Sequence, residues 1–261
     1  MPLVRTGGVH QGLSGARTVD VTSLKQEFTF DFEAMESLDY QWLEVMHSRI
    51  TRRRLYLLNP LKPSNRVSYA ASSMKSQGAT ALASKYGFNV GSNWRYSNEY
   101  PLYLLGFEGR SAEILPFEAD FSQIIFDEGS PFPFLPDETL SFRVLMKASA
   151  GTLARFRLDW YDADHEWIQA DGSSQFEIDE DWSQWSLSGV IPIEGAAGVT
   201  MGVQLDQGDN TVWVAAPQAH EGNSLRLWEP GGGAPEVVIE SLDITSPRFP
   251  LRDGTLKLLE A

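Results

Sequence analysis

Ala154-Arg155-Phe156-Arg157-Leu158-Asp159-Trp160 alternates apolar and charged side chains without a break. Successive side chains of a strand point to opposite faces, so Ala154, Phe156, Leu158 and Trp160 share a buried face and Arg155, Arg157 and Asp159 the other. Asp162-Ala163-Asp164-His165 then reads as a hairpin turn, with Trp167-Ile168 opening the returning strand. Upstream, Leu140-Ser141-Phe142-Arg143-Val144-Leu145-Met146 alternates in the same way. Downstream, strands are expected at 175–178, 185–190, 199–205, 211–216 and 225–228, with a turn over Asp206–Asn210 around Gly208. Short strands, regular turn signals and no intervening helix predict an antiparallel β-sandwich of jelly-roll type from about residue 101.

Outside this stretch the pattern changes. Arg17–Val21 and Gln26–Phe32 alternate with period two, Phe28, Phe30 and Phe32 lying on one face. Met35, Leu38, Trp42, Val45 and Met46 fall at helical spacing and predict a helix from Ser37, its N-cap, to Arg49. Arg52, Arg53 and Arg54 follow, and Leu55–Leu58 reads as a short strand, giving the order β-β-α-β. Residues 64–100, with the Ala- and Ser-rich stretch 70–84, carry no clean apolar stripe and read as irregular or extended. Pro230-Gly231-Gly232-Gly233-Ala234-Pro235 is the most flexible composition in the chain. Strand-like pieces at 237–244 and 255–259 follow it. The expected fold is therefore mainly β: a small α+β domain over residues 1–63, completed by 236–261, and a jelly roll over 64–235.

The 261 residues and 29.1 kDa suffice for a real core. Net charge is −14, unevenly placed: residues 1–63 sum to +1 and the remainder to −15. That sign disfavours nucleic-acid binding, which needs clustered Lys and Arg. Cysteine is absent, which removes disulfides, thiolate zinc sites and cysteine nucleophiles. No apolar run approaches 18 residues, so no membrane span is expected, and Met1–Gly8 has no apolar core of a secretory signal.

Catalytic patterns are not apparent. His10, His47, His165 and His220 lack metal-ligand spacing, and neither a Gly-x-Ser-x-Gly elbow nor a Walker-type Gly-Lys-Ser/Thr occurs. The expectation is no enzyme, no cofactor and no metal. Asp162-Ala163-Asp164 reads as turn chemistry. Asp179-Glu180-Asp181 offers hard oxygen ligands for calcium but reads first as a solvated acidic loop. Tryptophan is the unusual feature. Trp160 and Trp213 sit on apolar faces and are expected in the core. Trp167, Trp182 and Trp185 neighbour polar residues and are the candidates for stacking on sugar rings.

Several stretches resemble minor tail proteins of long-tailed phages infecting actinobacteria: Gly7-Gly8 with Leu13–Asp20, Trp42-Leu43-Glu44, Leu55–Pro60 with Asn65-Arg66, Thr211–Gln218, Trp228–Gly231 and Leu251–Leu256. The N-terminal order resembles distal tail proteins, and the middle is similar to carbohydrate-binding-module-like jelly rolls. The resemblance implies a virion protein of the tail or its tip, made in the host cytoplasm, that assembles with other tail proteins and with itself as a trimer or hexamer. Trp42, Arg52, Arg53 and Arg54 would then be assembly contacts, charge setting register. The alternative is an adhesin module that holds host cell-wall glycan through Trp167, Trp182 and Trp185.

Overall fold

A computed structural model describes residues 3–6, 9–11, 17–19, 23–48, 54–58, 65–74, 87–100, 110–206, 208–223, 227–232, 234–248 and 250–261, with the backbone alone before residue 27 and at 247–248. The chain divides into two compact units, residues 1–57 with 235–261, and residues 58–234.

The first unit contains β1 (Leu3–Thr6), β2 (Val9–Gln11), β3 (Arg17–Val19), β4 (Ser23–Met35), helix α1 (Ser37–His47) and β5 (Leu55–Tyr56). The second contains helix α2 (Tyr69–Ser72), β6 (Phe88–Val90), β7 (Trp94–Ser97), β8 (Ser111–Ile114), β9 (Ser122–Phe126), β10 (Phe132–Pro133), β11 (Leu140–Ala148), β12 (Thr152–Tyr161), β13 (Trp167–Gly172), β14 (Phe176–Ile178), β15 (Ser183–Val190), β16 (Gly198–Leu205) and β17 (Val212–Glu221). The chain ends in β18 (Glu236–Arg248) and β19 (Leu251–Glu260), which belong to the first unit.

In the first unit the sheet order is β1-β4-β19-β18-β5. The Phe28-x-Phe30-x-Phe32 alternation works against β19, whose Leu258 and Leu256 stand opposite Phe28 and Phe30. Phe28, Val237, Leu256 and Leu258 are buried there, and Leu43 of α1 packs on them. The helix starts at Ser37, but its N-cap is Glu36, whose side chain caps nothing. It stops at His47, two residues short of the expected end, where Ser48 N–H returns to the Glu44 carbonyl. None of its residues is fully buried, because only one edge of its apolar stripe meets the sheet. Two further strands, β1 and β2, precede the expected ones.

The second unit is an antiparallel sandwich. One sheet runs β13-β12-β16-β9-β6, with β10 on β16 and β14 on β12. The other runs β15-β11-β17-β8-β7. The core between them holds Phe88, Phe126, Phe142, Phe156 and Trp160, all nearly inaccessible. The irregular reading of 64–100 is corrected here. Ser68 caps α2 by accepting from Ala71 N–H, and β6 and β7 each extend one sheet. Elements of three or four residues are too short to show a period, and residues 75–86 of that span fall outside the described residues. The strand expected at 225–228 is also corrected for its described part: Leu227 and Trp228 lie outside any strand.

Two clusters stitch the second unit. Asn65, 1% exposed, uses its whole amide: Nδ2 donates to the Pro217 and Glu229 carbonyls, and Oδ1 accepts from Val67 and Ala219 N–H. Arg66 beside it forks onto Glu138 at 2.7 and 2.5 Å and donates to the Pro133 carbonyl. Fully buried Asp127 accepts from Ser68 N–H, Ser68 Oγ and Gly87 N–H. Burial outweighs these donors and pushes its carboxyl up to about 6. A raised acid favours folding most below the unfolded value near 3.8, and the gain is lost as pH rises through about 6. The stability difference between the parent and Asp127→Asn is therefore expected to move by up to about 3 kcal/mol between pH 4 and 7.5. Urea unfolding at the two pH values measures it, and a pH-independent difference would refute the assignment.

Candidate functional site: the outer face of the seven-stranded sheet

The residues opposite the core face of β12 build the site. Register with β16 sets Thr200 against Asp159, Gly202 against Arg157 and Gln204 against Arg155. Register with β13 sets Trp167 against Tyr161, Ala170 against Asp159 and Gly172 against Arg157. On β9, Gln123 faces Gln204 and Ile125 faces Gly202. Directly opposed residues share a face, so these side chains form one outward surface.

Asp159 is its centre and is only 4% exposed. Arg157 clasps both its oxygens, Nε to Oδ2 at 2.9 Å and Nη2 to Oδ1 at 2.8 Å, and sends Nη1 to Gln123 Oε1 at 2.7 Å. Trp167, 57% exposed, donates its indole N–H to the same Asp159 Oδ1 at 3.3 Å. The indole is thus held by its polar edge while much of its surface stays open to solvent. The Asp159 carboxylate raises the Arg157 pKa against the opposing effect of burial. Burial pushes the Tyr161 phenol up, so it stays protonated and able to donate. Next along the face, Asp206 accepts from Arg155, Gln175 and Gln204. Burial alone would raise its carboxyl, but these donors hold it below the usual range.

Bulk is absent where the face needs to stay low. A Cβ on Gly202 would sit 2.7 Å from the Ile124 carbonyl oxygen, too close for any side chain. Ala170 and Gly172 on β13 and Gly202 on β16 place small residues on either side of Arg157 and Asp159. An open depression of about 620 Å³, lined by Asn93, Phe117 and Glu118 among others, adjoins Gln123 through Gly91, whose N–H donates to the Gln123 carbonyl.

The three candidate tryptophans occupy three separate places. Trp167 lies on this face. Trp185 instead points between the sheets, stacked on Phe176 with centroids 4.6 Å apart. The alternation Ser183-x-Trp185-x-Leu187 runs through Leu187, which packs on the same core, and not through the polar neighbours that suggested exposure. Half-buried Trp182 packs on Leu145, Ala215 and Ala216, outside the five-stranded sheet. Trp213 is corrected too: it pairs with Lys147 across the outer face of that sheet, under the ammonium at 4.5 Å, and not in the core. Trp160 is in the core as expected.

Trp42 is 61% exposed on α1 in the other unit. Arg54 lies 3.5 Å from Glu236, and Arg52 and Arg53 fall outside the described residues. Asp162 Oδ1 accepts from Asp164 and Glu166 N–H, so this carboxylate shapes the turn. Asp179, Glu180 and Asp181 are exposed. Among the described residues no group of three or more His, Asp and Glu is placed to hold a metal ion, and no helix is long and apolar enough to cross a membrane. Sequence reading passed over Gln123, Arg157, Asp159 and Tyr161. The available signal was Arg-x-Arg-x-Asp-x-Tyr at consecutive outward positions of a mid-sheet strand.

No family model and no curated protein matches this chain. Solved structures are similar to it. The enzymatically active domain of tailspike protein 4 of bacteriophage CBA120 is 10% identical over 60% of this chain, at a TM-score of 0.45. The match spans 21% of that protein's own length. The CBM22-1 xylan-binding domain of Paenibacillus barcinonensis Xyn10C is 12% identical over 63% of this chain and 99% of its own, at 0.41. TmCBM61, solved with β-1,4-galactotriose, is 8% identical over 60% of this chain and 98% of its own, also at 0.41.

Proposed function

We propose that this chain is a glycan-binding protein and that the outer face of the seven-stranded sheet takes the sugar. The observation that carries this reading is the Trp167–Asp159–Arg157–Gln123 constellation. Sugar rings present C–H faces that stack on an indole and hydroxyls that need fixed donors and acceptors. Here an open indole stands beside a carboxylate, an amide and a phenol whose positions are set before any ligand arrives. Preorganised polar groups beside an apolar platform suit binding, because little ordering remains to be done. Asp159 and Asp206 are each clasped by an arginine, an arrangement of fixed acceptors rather than of a proton donor for a leaving group.

A specific observation also favours an attachment role for the other unit. Leu38 and Trp42, four residues apart on α1, are 64% and 61% exposed. An exposed apolar stripe of this kind suits assembly with another protein. With the resemblance of the N-terminal stretches to phage tail proteins, we further propose that the first unit joins neighbouring tail proteins and the second holds host-surface glycan.

Titration of the full chain with soluble xylan, galactan and host cell-wall polysaccharide, followed by tryptophan fluorescence and calorimetry, tests the binding reading. Trp167→Ala is expected to weaken binding at least tenfold, about 1.4 kcal/mol, with an unchanged unfolding midpoint. Equal affinity of parent and variant, or no binding to any of the polymers, would sink it.

A further inference from the structure

We propose that β15 is a pairing edge for a second copy of this chain. Among the described residues β15 is hydrogen-bonded only to β11 and ends the five-stranded sheet. An edge strand carries unpaired backbone N–H and C=O groups, and proteins usually blunt such edges with charge, proline or brevity. The other edges of the sandwich follow that rule. β7 is four residues long and carries Arg95, β6 has three residues, and β13 carries Asp171. β15 has none of these three features: Ser183-Gln184-Trp185-Ser186-Leu187-Ser188-Gly189-Val190 is eight residues with no charge and no proline, and its one irregularity against β11 lies past Leu187, toward Val190.

The occupant is argued from charge. The residues beyond 63 sum to −15, so a contact between copies of the second unit is favoured where no like charges meet. β15 is such a place. An antiparallel pair centred on Ser186 sets Ser186 against its own copy and Gln184 against Ser188, all exposed and uncharged. On the inner side it sets Trp185 against Leu187, each half-buried and each gaining cover. The acidic run before the strand does not oppose this. Asp181 would stand opposite Ile191, which is 76% exposed, and the two Asp181 residues would lie roughly 34 Å apart. That is well beyond the screening length of about 8 Å at physiological salt. The contact is isologous and closes on itself.

Light scattering of the full chain across a concentration series reads the mass. The parent is expected to rise from 29.1 kDa toward at least twice that value. Ser186→Lys, an exposed substitution that sets ammonium against ammonium, is expected to lower the mass by half, and so is Ser186→Glu. An equimolar mixture of the two variants is expected to restore the parent's mass, which also shows that both are folded. A parent that stays at 29.1 kDa at every concentration overturns the proposal. So does a larger species that Ser186→Lys leaves intact, or a mixture that fails to recover.

Discussion

An Asp159→Ala protein is expected to lose glycan binding by tenfold or more and to unfold at lower denaturant than the parent. Asp159 makes two contributions through one carboxylate. It neutralises Arg157, and it holds the Trp167 indole by its N–H. Removing one partner of a buried ion pair leaves the other charge unpaired, at a cost of about 3–5 kcal/mol. The Arg157 side chain is 26% exposed, so water recovers part of that. The stability loss should be about 2 kcal/mol. The binding loss has a separate cause, since a freed indole must be re-ordered by each ligand. Asp159→Asn separates the two: its amide oxygen can keep the indole while its NH₂ faces a guanidinium. It should lose stability and retain more affinity than the alanine variant. Affinity unchanged in both variants would show that the face does not bind sugar.

Asn65→Ala is expected to be the most damaging single substitution to the second unit. Four backbone groups, buried at 67, 217 and 219 and part-buried at 229, lose their partners together. Each unsatisfied group costs about 1–3 kcal/mol, and partial relaxation brings the sum to about 4 kcal/mol. Gly231→Ala should act on the same seam by a different route. A Cβ there would lie 2.0 Å from the Val67 carbonyl oxygen and 2.4 Å from that of Ser68, both backbone atoms that cannot swing away. The seam holds 65–68 against 229–232, where Gly231 N–H reaches Ser72 Oγ and Gly232 N–H the Val67 carbonyl. Urea unfolding followed by circular dichroism measures both. A loss under about 1 kcal/mol for Asn65→Ala would mean that water replaces the amide.

Much of the sandwich was legible in the residues because its strands are long. The ten residues of β12 carry enough period-two repeats to identify the element and its core face, and the nine of β11 identify the strand, although both of its faces are covered. The turn at 162–165 was legible for the same local reason, since Asp162 bonds to backbone within four residues of itself. β6 and β7 were not legible. Three or four residues give a period nothing to repeat, and only pairing with β9 and β8 makes them strands. Tryptophan placement failed where polar sequence neighbours stood in for exposure. Trp185 has polar neighbours and faces the core, whereas Trp213 has apolar neighbours and lies outside the sheet it belongs to.

By itself, then, the sequence determined which β12 side chains oppose the core. Alternation is a property of the strand alone, and it separates Arg155, Arg157, Asp159 and Tyr161 from Phe156, Leu158 and Trp160. Only the tertiary structure decided what those outward groups meet. Gln123 lies 34 residues from the arginine it bonds, and Gly202 is far from both. Their meeting depends on the register of β9, β16 and β12, which is set by core packing on the opposite face. A one-residue slip would turn every one of these side chains inward, so the buried face fixes the register and the register assembles the site.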